Sequence, residues 1–384
     1  MRTYLTITLL LTLVSSTWAN EADPEAKQQC ETWPQWQQFT EHFISASGRV
    51  VDIGSEKAIT TSEGQSYALF FALVANDPTT FARVLHWTED NLAKGDLGDH
   101  LPAWLWGRQG SNTWGVLDPN PASDADLWIA YSLLEAGRIW QQPRYTALGE
   151  LLALRILREE AVTLPGAGTL LLPAPFGFVV QDASTGEQRW RLNPSYSPLQ
   201  LLRRVSLALP TSGWEQLHPS TGRLLLESAP AGAAPDWVAY TLSKGLHTDL
   251  KSKGIGSYDA IRVYLWAGML DDNDPLRTPL LTHFKPMTNA LNRLGMPPHS
   301  IDSRTGRTDQ LGPPGFSAAL LPFLAASGAE QALQTQLKRL LAEPLGQDNY
   351  YNQVLGLFGQ GWQQQRYRFD ADGLLHFPRN AACS

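Results

Sequence analysis

Cysteine and histidine are scarce in this chain of 384 residues, and those present lack the spacing of a metal site. The two cysteines, Cys30 and Cys383, lie near opposite ends, and the eight histidines are scattered between them. Structural zinc sites need Cys or His ligands at short, regular spacings. We therefore expect the protein to work without a metal or a cofactor.

Long apolar runs are also lacking after the first residues. Arg2, the apolar run Tyr4 to Val14 and the small residues of Thr17-Trp18-Ala19 follow one another in the order of a secretory signal peptide. The run is too short to span a bilayer. A membrane anchor is the alternative, but polar residues follow directly. We expect residues 1–19 to be a signal peptide, and the mature chain to be periplasmic and not membrane-embedded.

Export also bears on the two cysteines. Disulfides persist in exported proteins. We therefore predict a bridge between Cys30 and Cys383, which would pin the C-terminal tail to the start of the domain.

Charged side chains make up only 17% of the sequence, and the formal net charge is −7. A mildly acidic chain without basic clusters argues against nucleic acid as a partner. Aromatic residues are plentiful instead, with 14 Trp, 11 Tyr and 13 Phe. Neutral, aromatic-rich surfaces suit sugars, whose apolar C–H faces stack on aromatic rings. Filling of the core is the alternative for many of these rings.

The chain after the signal peptide has no linker or composition break, so residues 20–384 are predicted to form a single domain. Helical segments alternate between two kinds, and a helix without a polar face must be buried on all sides. The segments that are apolar all round are 64–76, 126–139, 258–270 and 315–326. The amphipathic segments are 79–93, 143–160, 276–294 and 329–341. Weaker candidates are 35–44, 197–208, 214–228 and 349–362.

This alternation predicts an all-α fold of six helical hairpins, an (α/α)6 barrel with an inner and an outer ring. Short strands separated by Pro and Gly are expected at Thr169–Leu172, Phe176–Val180 and Gln188–Leu192, a β excursion around 169–192. If each outer helix returns the chain to its start, all inner helices run the same way. Their N-termini then meet at one end. The segments expected to converge there are 60–63, 123–126, 193–196, 257–259, 315–316 and 349–351.

The converging segments carry four carboxylates: Glu63, Asp124, Asp126 and Asp259. Cleavage of a glycosidic bond needs one carboxylic acid to protonate the leaving oxygen and one carboxylate to activate water or attack the sugar. Helix capping is the alternative at each position. Thr60-x-x-Glu63 matches a capping box, and the aspartates could be ordinary N-caps.

Arg262 is the one charged residue in the apolar run Ile261 to Leu270. It lies three residues after Asp259, and hence on the same helix face. An arginine there would keep that carboxylate ionised, as a general base requires; a buried structural ion pair is the alternative. Asp124 has no basic neighbour in its own segment, and the helix dipole would stabilise its charge.

Trp104 and Trp106 lie in a predicted loop before helix 126–139, at the same end of the barrel. An indole at this position could form a platform for a sugar, with one of the two in the core.

These residues resemble glycoside hydrolase family 8. The stretch Ala122 to Trp140 fits the family signature, Thr61 to Tyr67 resembles its general-acid motif, and Tyr258 to Arg262 resembles its base motif. Within the family, Pro102 to Gly107 and Leu357 to Trp362 are similar to the periplasmic endoglucanases encoded with bacterial cellulose synthase.

The resemblance implies an (α/α)6 barrel and endo-cleavage of β-1,4-glucan with inversion. It also implies a role in cellulose production beside the cellulose synthase and secretion complex. Glu63 would be the general acid, Asp259 the general base, and Asp124 a carboxylate that grips the sugar at the cleavage point. The residues expected to bind substrate are Trp104, Trp106, Trp128, Tyr196, Tyr258, Arg262, Phe316 and Tyr350. A polysaccharide lyase, a non-catalytic glucan-binding protein, and activity on xylan or chitosan stay open as alternatives.

Overall fold

The computed structural model describes residues 32–183 and 185–378. The predicted signal peptide and both cysteines lie outside these residues. The helices of the described part are α1 (Pro34–Phe43), α2 (Ser62–Val74), α3 (Pro78–Leu92), α4 (Ser123–Ile139), α5 (Pro143–Glu160), α6 (Leu199–Ala208), α7 (Leu217–Glu227), α8 (Ile261–Gly268), α9 (Arg277–His283), α10 (Lys285–Leu294), α11 (Pro314–Ala326), α12 (Glu330–Ala342) and α13 (Tyr350–Gln363).

The strands of the described part are short and form five small antiparallel sheets. They are β1 (Thr60–Thr61), β2 (Leu105–Arg108), β3 (Trp114–Asp118), β4 (Ala161–Leu164), β5 (Gly168–Leu171), β6 (Val179–Gln181), β7 (Gln188–Leu192), β8 (Val238–Thr241), β9 (Gly245–Thr248), β10 (Ile255–Gly256), β11 (Pro298–Asp302), β12 (Thr308–Leu311), β13 (Arg368–Phe369) and β14 (Leu375–His376).

The helices form an (α/α)6 barrel. The inner ring consists of α2, α4, α6, α8, α11 and α13, each packed on the next. Every residue of α2 except Glu63 is buried, as expected of a helix that is apolar all round. Phe358 of α13 closes the ring against α2, with its ring centroid 4.6 Å from that of Phe71 and 5.0 Å from that of Tyr67. The outer helices each follow an inner one, and α1 covers α13.

The segment predicted as one helix over 276–294 is two helices, α9 and α10, separated at Phe284. Pro286 lies in the first turn of α10. A proline is tolerated in a first turn but disfavoured inside a helix, where it lacks an N–H and clashes with the preceding turn. The chain therefore restarts the helix instead of continuing it.

The β structure is more extensive than predicted. The expected strand at 188–192 is β7, but it pairs with β8 as well as with β6, and residues 176–178 are not in a strand. The hairpins β2–β3, β8–β9 and β11–β12 were not predicted. Strands of four or five residues carry too little periodicity to stand out in a sequence. Trp106 consequently lies in strand β2 and not in a loop.

Within the described ranges, no helix has both the length and the apolar character needed to cross a membrane.

Candidate active site at the N-terminal end of the inner helices

The N-termini of the inner helices meet at one end of the barrel. Side chains from the starts of α2, α4 and α8 contact one another, although up to 199 residues separate them in the sequence. The starts of α11 and α13 join them through Phe316 and Tyr351, which both contact the ring of Tyr258. Tyr196, just before α6, lies over Arg262. All six segments predicted to converge therefore do so.

Arg262 is the centre of this cluster. Its Nη1 donates to Glu63 Oε2 at 2.5 Å, to the Tyr67 hydroxyl at 2.9 Å and to Asp124 Oδ2 at 3.1 Å. Its Nη2 donates to Asp259 Oδ1 at 2.9 Å, one helical turn away as predicted. One cation thus holds three carboxylates, and its side chain is only 3% exposed.

The three carboxylates differ in exposure. The side chains of Glu63 and Asp259 are 24% and 29% exposed, so both can reach a ligand in the cleft. The Asp124 side chain is 4% exposed, and its Oδ1 accepts a hydrogen bond from the Ala125 N–H at 2.9 Å. Asp124 thus lies at the floor of the cleft.

Burial raises the pKa of Asp124 from 3.8 to about 7, although Arg262 acts in the opposite direction. The nearby charge of Glu63 raises it further. Asp124 has no basic neighbour in its segment, but the fold brings Arg262 to it. Contact with an arginine therefore does not distinguish Asp259 from Asp124. Burial, and not the helix dipole, has the largest effect on the pKa of Asp124.

Helix capping does not account for these acids. The N-cap of α2 is Thr61, whose hydroxyl accepts the Gly64 N–H, so the capping box from Thr60 to Glu63 is not formed. The N-caps of α4 and α8 are alanines without a side-chain cap. Glu63, Asp124 and Asp259 point to Arg262 instead.

Asp126, the fourth candidate carboxylate, is not in the cluster around Arg262. It is fully buried and hydrogen-bonds to the carboxyl of Glu160 at the end of α5, which is also fully buried. No other group of the described residues donates a hydrogen bond to either carboxyl. Burial raises the pKa of both acids well above the usual range. Burial therefore favours the protonated form of these acids, which lets one carboxyl donate its proton to the other in a hydrogen bond.

Tyrosines surround the cluster. The Arg262 guanidinium carbon lies 5.6 Å from the ring centroid of Tyr196. The hydroxyl of Tyr350 is buried without a hydrogen-bond partner in the described residues, and it would lie 2.9 Å from a Cβ at Gly64. Burial raises the pKa of both tyrosines well above the usual range. Both stay neutral and can donate a hydrogen bond.

Tyr258 forms one rim of the cleft and is 48% exposed. Its ring packs edge-on against His299 at 5.4 Å and Phe316 at 5.2 Å. Phe316 is only 1% exposed, so it supports Tyr258 and offers little surface of its own to a ligand.

The predicted tryptophans have different positions. Trp106 stacks on Trp114 with ring centroids 5.5 Å apart, and the Arg49 guanidinium lies over both rings. The carbonyl of Trp104 accepts the N–H of Ser62, which ties this hairpin to the start of α2. Trp128 is 1% exposed and packs on Trp266 and other rings of the inner helices. Its assignment as a substrate-binding residue is therefore wrong: it is a core residue one turn below Asp124.

Two residues at the site were missed from the sequence. Trp237 contacts Tyr196 edge-on at 5.9 Å and stacks on Phe178 at 5.8 Å, which extends the aromatic lining of the cleft. Asp236 accepts the N–H groups of Ser257 and Ala260, which flank Asp259. Both precede β8, a strand that the sequence pattern did not reveal.

In the part of the chain that the structure describes, no group of three or more His, Cys, Asp or Glu side chains could hold a metal ion. What the cleft offers is a cluster of carboxylates on one arginine, lined by aromatic rings.

The fold and the site define an (α/α)6-barrel protein with a carboxylate-lined cleft at one end. The family model for glycosyl hydrolases family 8 matches residues 13–365, and the chain belongs to this family of glycoside hydrolases.

Named relatives agree with this membership. The chain is 48% identical to an endoglucanase of Salmonella typhi over 376 residues, which cover 98% of this chain and 96% of the relative. It is 49% identical to an endoglucanase of Escherichia coli (strain K12) over 345 residues, 90% of each chain. A crystal structure of an endo-1,4-D-glucanase from Vibrio fischeri ES114 superimposes with a TM-score of 0.82 at 47% identity, over 90% of this chain and 99% of that one.

Proposed function

We propose that the protein is an endo-1,4-β-glucanase that hydrolyses internal linkages of cellulose chains with inversion of configuration. The observation that carries the proposal is the joining of Glu63, Asp124 and Asp259 by Arg262 within one cleft. The endoglucanase names of the relatives, with identities near one half over almost the whole chain, support the substrate class.

Glu63 is proposed as the general acid. It is the partly exposed acid on α2, and it would give its proton to the glycosidic oxygen as the bond to the anomeric carbon breaks. A glucan that expels water from the cleft would favour the protonated acid, because desolvation disfavours charged carboxylates.

Asp259 is proposed as the general base. A water molecule would attack the anomeric carbon from the face opposite the leaving oxygen and pass its proton to Asp259. The products are two shorter chains, one with a new reducing end in the α configuration. Asp259 then releases its proton and Glu63 regains one, so each turnover consumes one water.

Asp124 is proposed to grip a hydroxyl of the sugar at the cleavage point. Its place at the floor of the cleft, on the same arginine as Glu63 and Asp259, supports this role. The exposed rings of Tyr258 and Trp114, on different rims, suit the apolar faces of successive glucose units.

The cellular setting is part of the same proposal. Residues 1–19 are proposed to direct export to the periplasm, and residues 20–384 to form one catalytic domain. There the enzyme would trim β-1,4-glucan during bacterial cellulose production, beside the synthase and secretion complex.

Release of reducing ends from carboxymethylcellulose, mixed-linkage glucan, xylan and chitosan, measured side by side, tests the substrate class. We expect the first two to be cut and the others to be poor substrates. Preference for xylan or chitosan would overturn the substrate assignment, and no cleavage of any polymer would favour a glucan-binding protein.

The roles of the acids need separate tests. The Glu63→Gln variant should fold, bind cello-oligosaccharides and lose nearly all hydrolysis, because an amide cannot give up a proton. Wild-type turnover in this variant would refute the assignment. Proton NMR during hydrolysis should show the α-anomer first; initial β-anomer would refute inversion and the role of Asp259.

A further inference from the structure

Asp236 lies directly behind the turn that carries Asp259. Its Oδ1 accepts the Ser257 N–H at 2.7 Å and the Ala260 N–H at 2.8 Å. Its carboxylate also accepts the N–H of Asp259 itself. A single side chain thus collects three backbone donors from the four residues 257–260.

Other contacts hold the same turn from the outside. The Ser257 hydroxyl donates to the His299 carbonyl at 2.7 Å, and the Tyr351 hydroxyl donates to the Tyr258 carbonyl at 2.7 Å. Behind it, a Cβ at Gly256 would lie 1.9 Å from the Ala234 carbonyl oxygen, so the two backbones are in direct contact. The turn has little freedom, and Asp236 is the carboxylate among these anchors.

Asp236 is itself affected by burial and by the nearby charge of Asp259. Burial raises the pKa of Asp236 from 3.8 to about 6, and the nearby charge of Asp259 raises it further, while the backbone donors act in the opposite direction. Arg262, the cation of the site, bonds to Asp259 and not to Asp236. The other titratable groups that face this pair are Asp124, Glu63, His299 and the hydroxyls of Tyr196, Tyr264 and Tyr351.

We propose that Asp236 is a positioning residue for Asp259: its carboxylate accepts the backbone N–H groups of the turn that carries the base, and it thereby holds the base in place. This inference rests on the proposed function, since it matters only if Asp259 is the base. It assigns a role to a residue that touches neither Arg262 nor the cleft carboxylates by hydrogen bond.

Two substitutions test this role. Asp236→Asn keeps an oxygen for the N–H groups of Ser257 and Ala260. The turn should then stay in place, and kcat should remain within about threefold of the wild-type value.

Asp236→Ala removes the oxygens. The turn loses its three-donor anchor, and a displaced base should lower kcat by about 100-fold with little change in KM. Asp370→Asn is the matched control. The Oδ1 of Asp370 also accepts two backbone N–H groups, those of Asp372 and Leu374, but its turn follows the C-terminal end of α13. We expect its kcat to match that of the wild type.

All rates are to be divided by the folded fraction from circular dichroism, so that a loss of stability alone changes nothing. A loss of kcat in Asp236→Asn as large as that in Asp236→Ala, or full kcat in Asp236→Ala, would overturn the inference. Failure of the proposed function looks different: Asp259→Asn would then retain wild-type hydrolysis, whatever the Asp236 variants do.

Discussion

The buried carboxyl of Asp124 lowers the free energy of unfolding at neutral pH, and the effect can be measured. Burial raises the pKa of Asp124 from 3.8 to about 7 in the folded protein. Between these values the folded protein binds a proton that the unfolded chain does not bind. The free energy of unfolding therefore falls as the pH rises towards 7, by about 1.4 kcal/mol per pH unit.

The size of the effect follows from the pH interval. Between pH 5 and pH 8, this one group should lower the free energy of unfolding by about 2.5 kcal/mol. Asp124→Asn cannot titrate and should lack this loss. The two oxygens of Asp124 accept hydrogen bonds from Ala125 and Arg262, whereas an asparagine has only one oxygen. The lost hydrogen bond should lower the stability of the variant by about 1 kcal/mol at both pH values. The variant should therefore gain stability relative to the wild type as the pH rises.

Urea unfolding at pH 5 and pH 8, followed by tryptophan fluorescence, tests this expectation. Asp302→Asn is a suitable control, because bonding to Arg304 lowers the pKa of Asp302 to about 2. That group is ionised in both states throughout the interval, so its substitution should give the same change at pH 5 and pH 8. A difference between Asp124→Asn and the wild type that is equal at both pH values, or larger in favour of the variant at pH 5, would refute the reasoning.

Two further predictions concern parts of the chain away from the cleft. Glu160→Ala leaves the Asp126 carboxyl buried without a partner and should lower the free energy of unfolding by about 3 kcal/mol. Glu160→Gln supplies an amide donor and should lower it far less. Equal losses of the two variants in urea unfolding would contradict a proton shared between the two carboxyls. For the two cysteines, mass spectrometry of the non-reduced protein, isolated from the periplasm of an expressing bacterium, should show peptides containing Cys30 and Cys383 linked to each other. Two free thiols would disprove the bridge.

The helices were predictable because their pattern is repeated. Inner helices such as α2 are apolar all round, and outer helices such as α3 carry one apolar stripe, so their order along the chain was enough to predict the barrel. Short hairpins such as β2–β3 have no comparable signal, because a strand of four residues is also consistent with a loop or a buried turn. Trp106 was misplaced for this reason.

The convergence of the candidate acids at one end of the barrel followed from the same pattern. Once the inner helices are parallel, Glu63, Asp124 and Asp259 must lie near one another, whatever their separation in sequence. Arg262 could be linked to Asp259 from spacing alone, because three residues make one helical turn. The sequence alone thus determined the architecture and the end of the barrel at which the candidate acids lie.

The tertiary structure decided which of the predicted residues lie in the site and which lie in the core. Asp124 and Asp126 are two residues apart and look equivalent in the sequence, yet one faces Arg262 and the other faces Glu160, because residues two apart lie on different sides of a helix. Trp128 is buried because four aromatic side chains from other inner helices pack around it. The three carboxylates share one arginine, and Asp236 reaches the turn of the base, only because distant segments are packed together, and no local pattern encodes that packing.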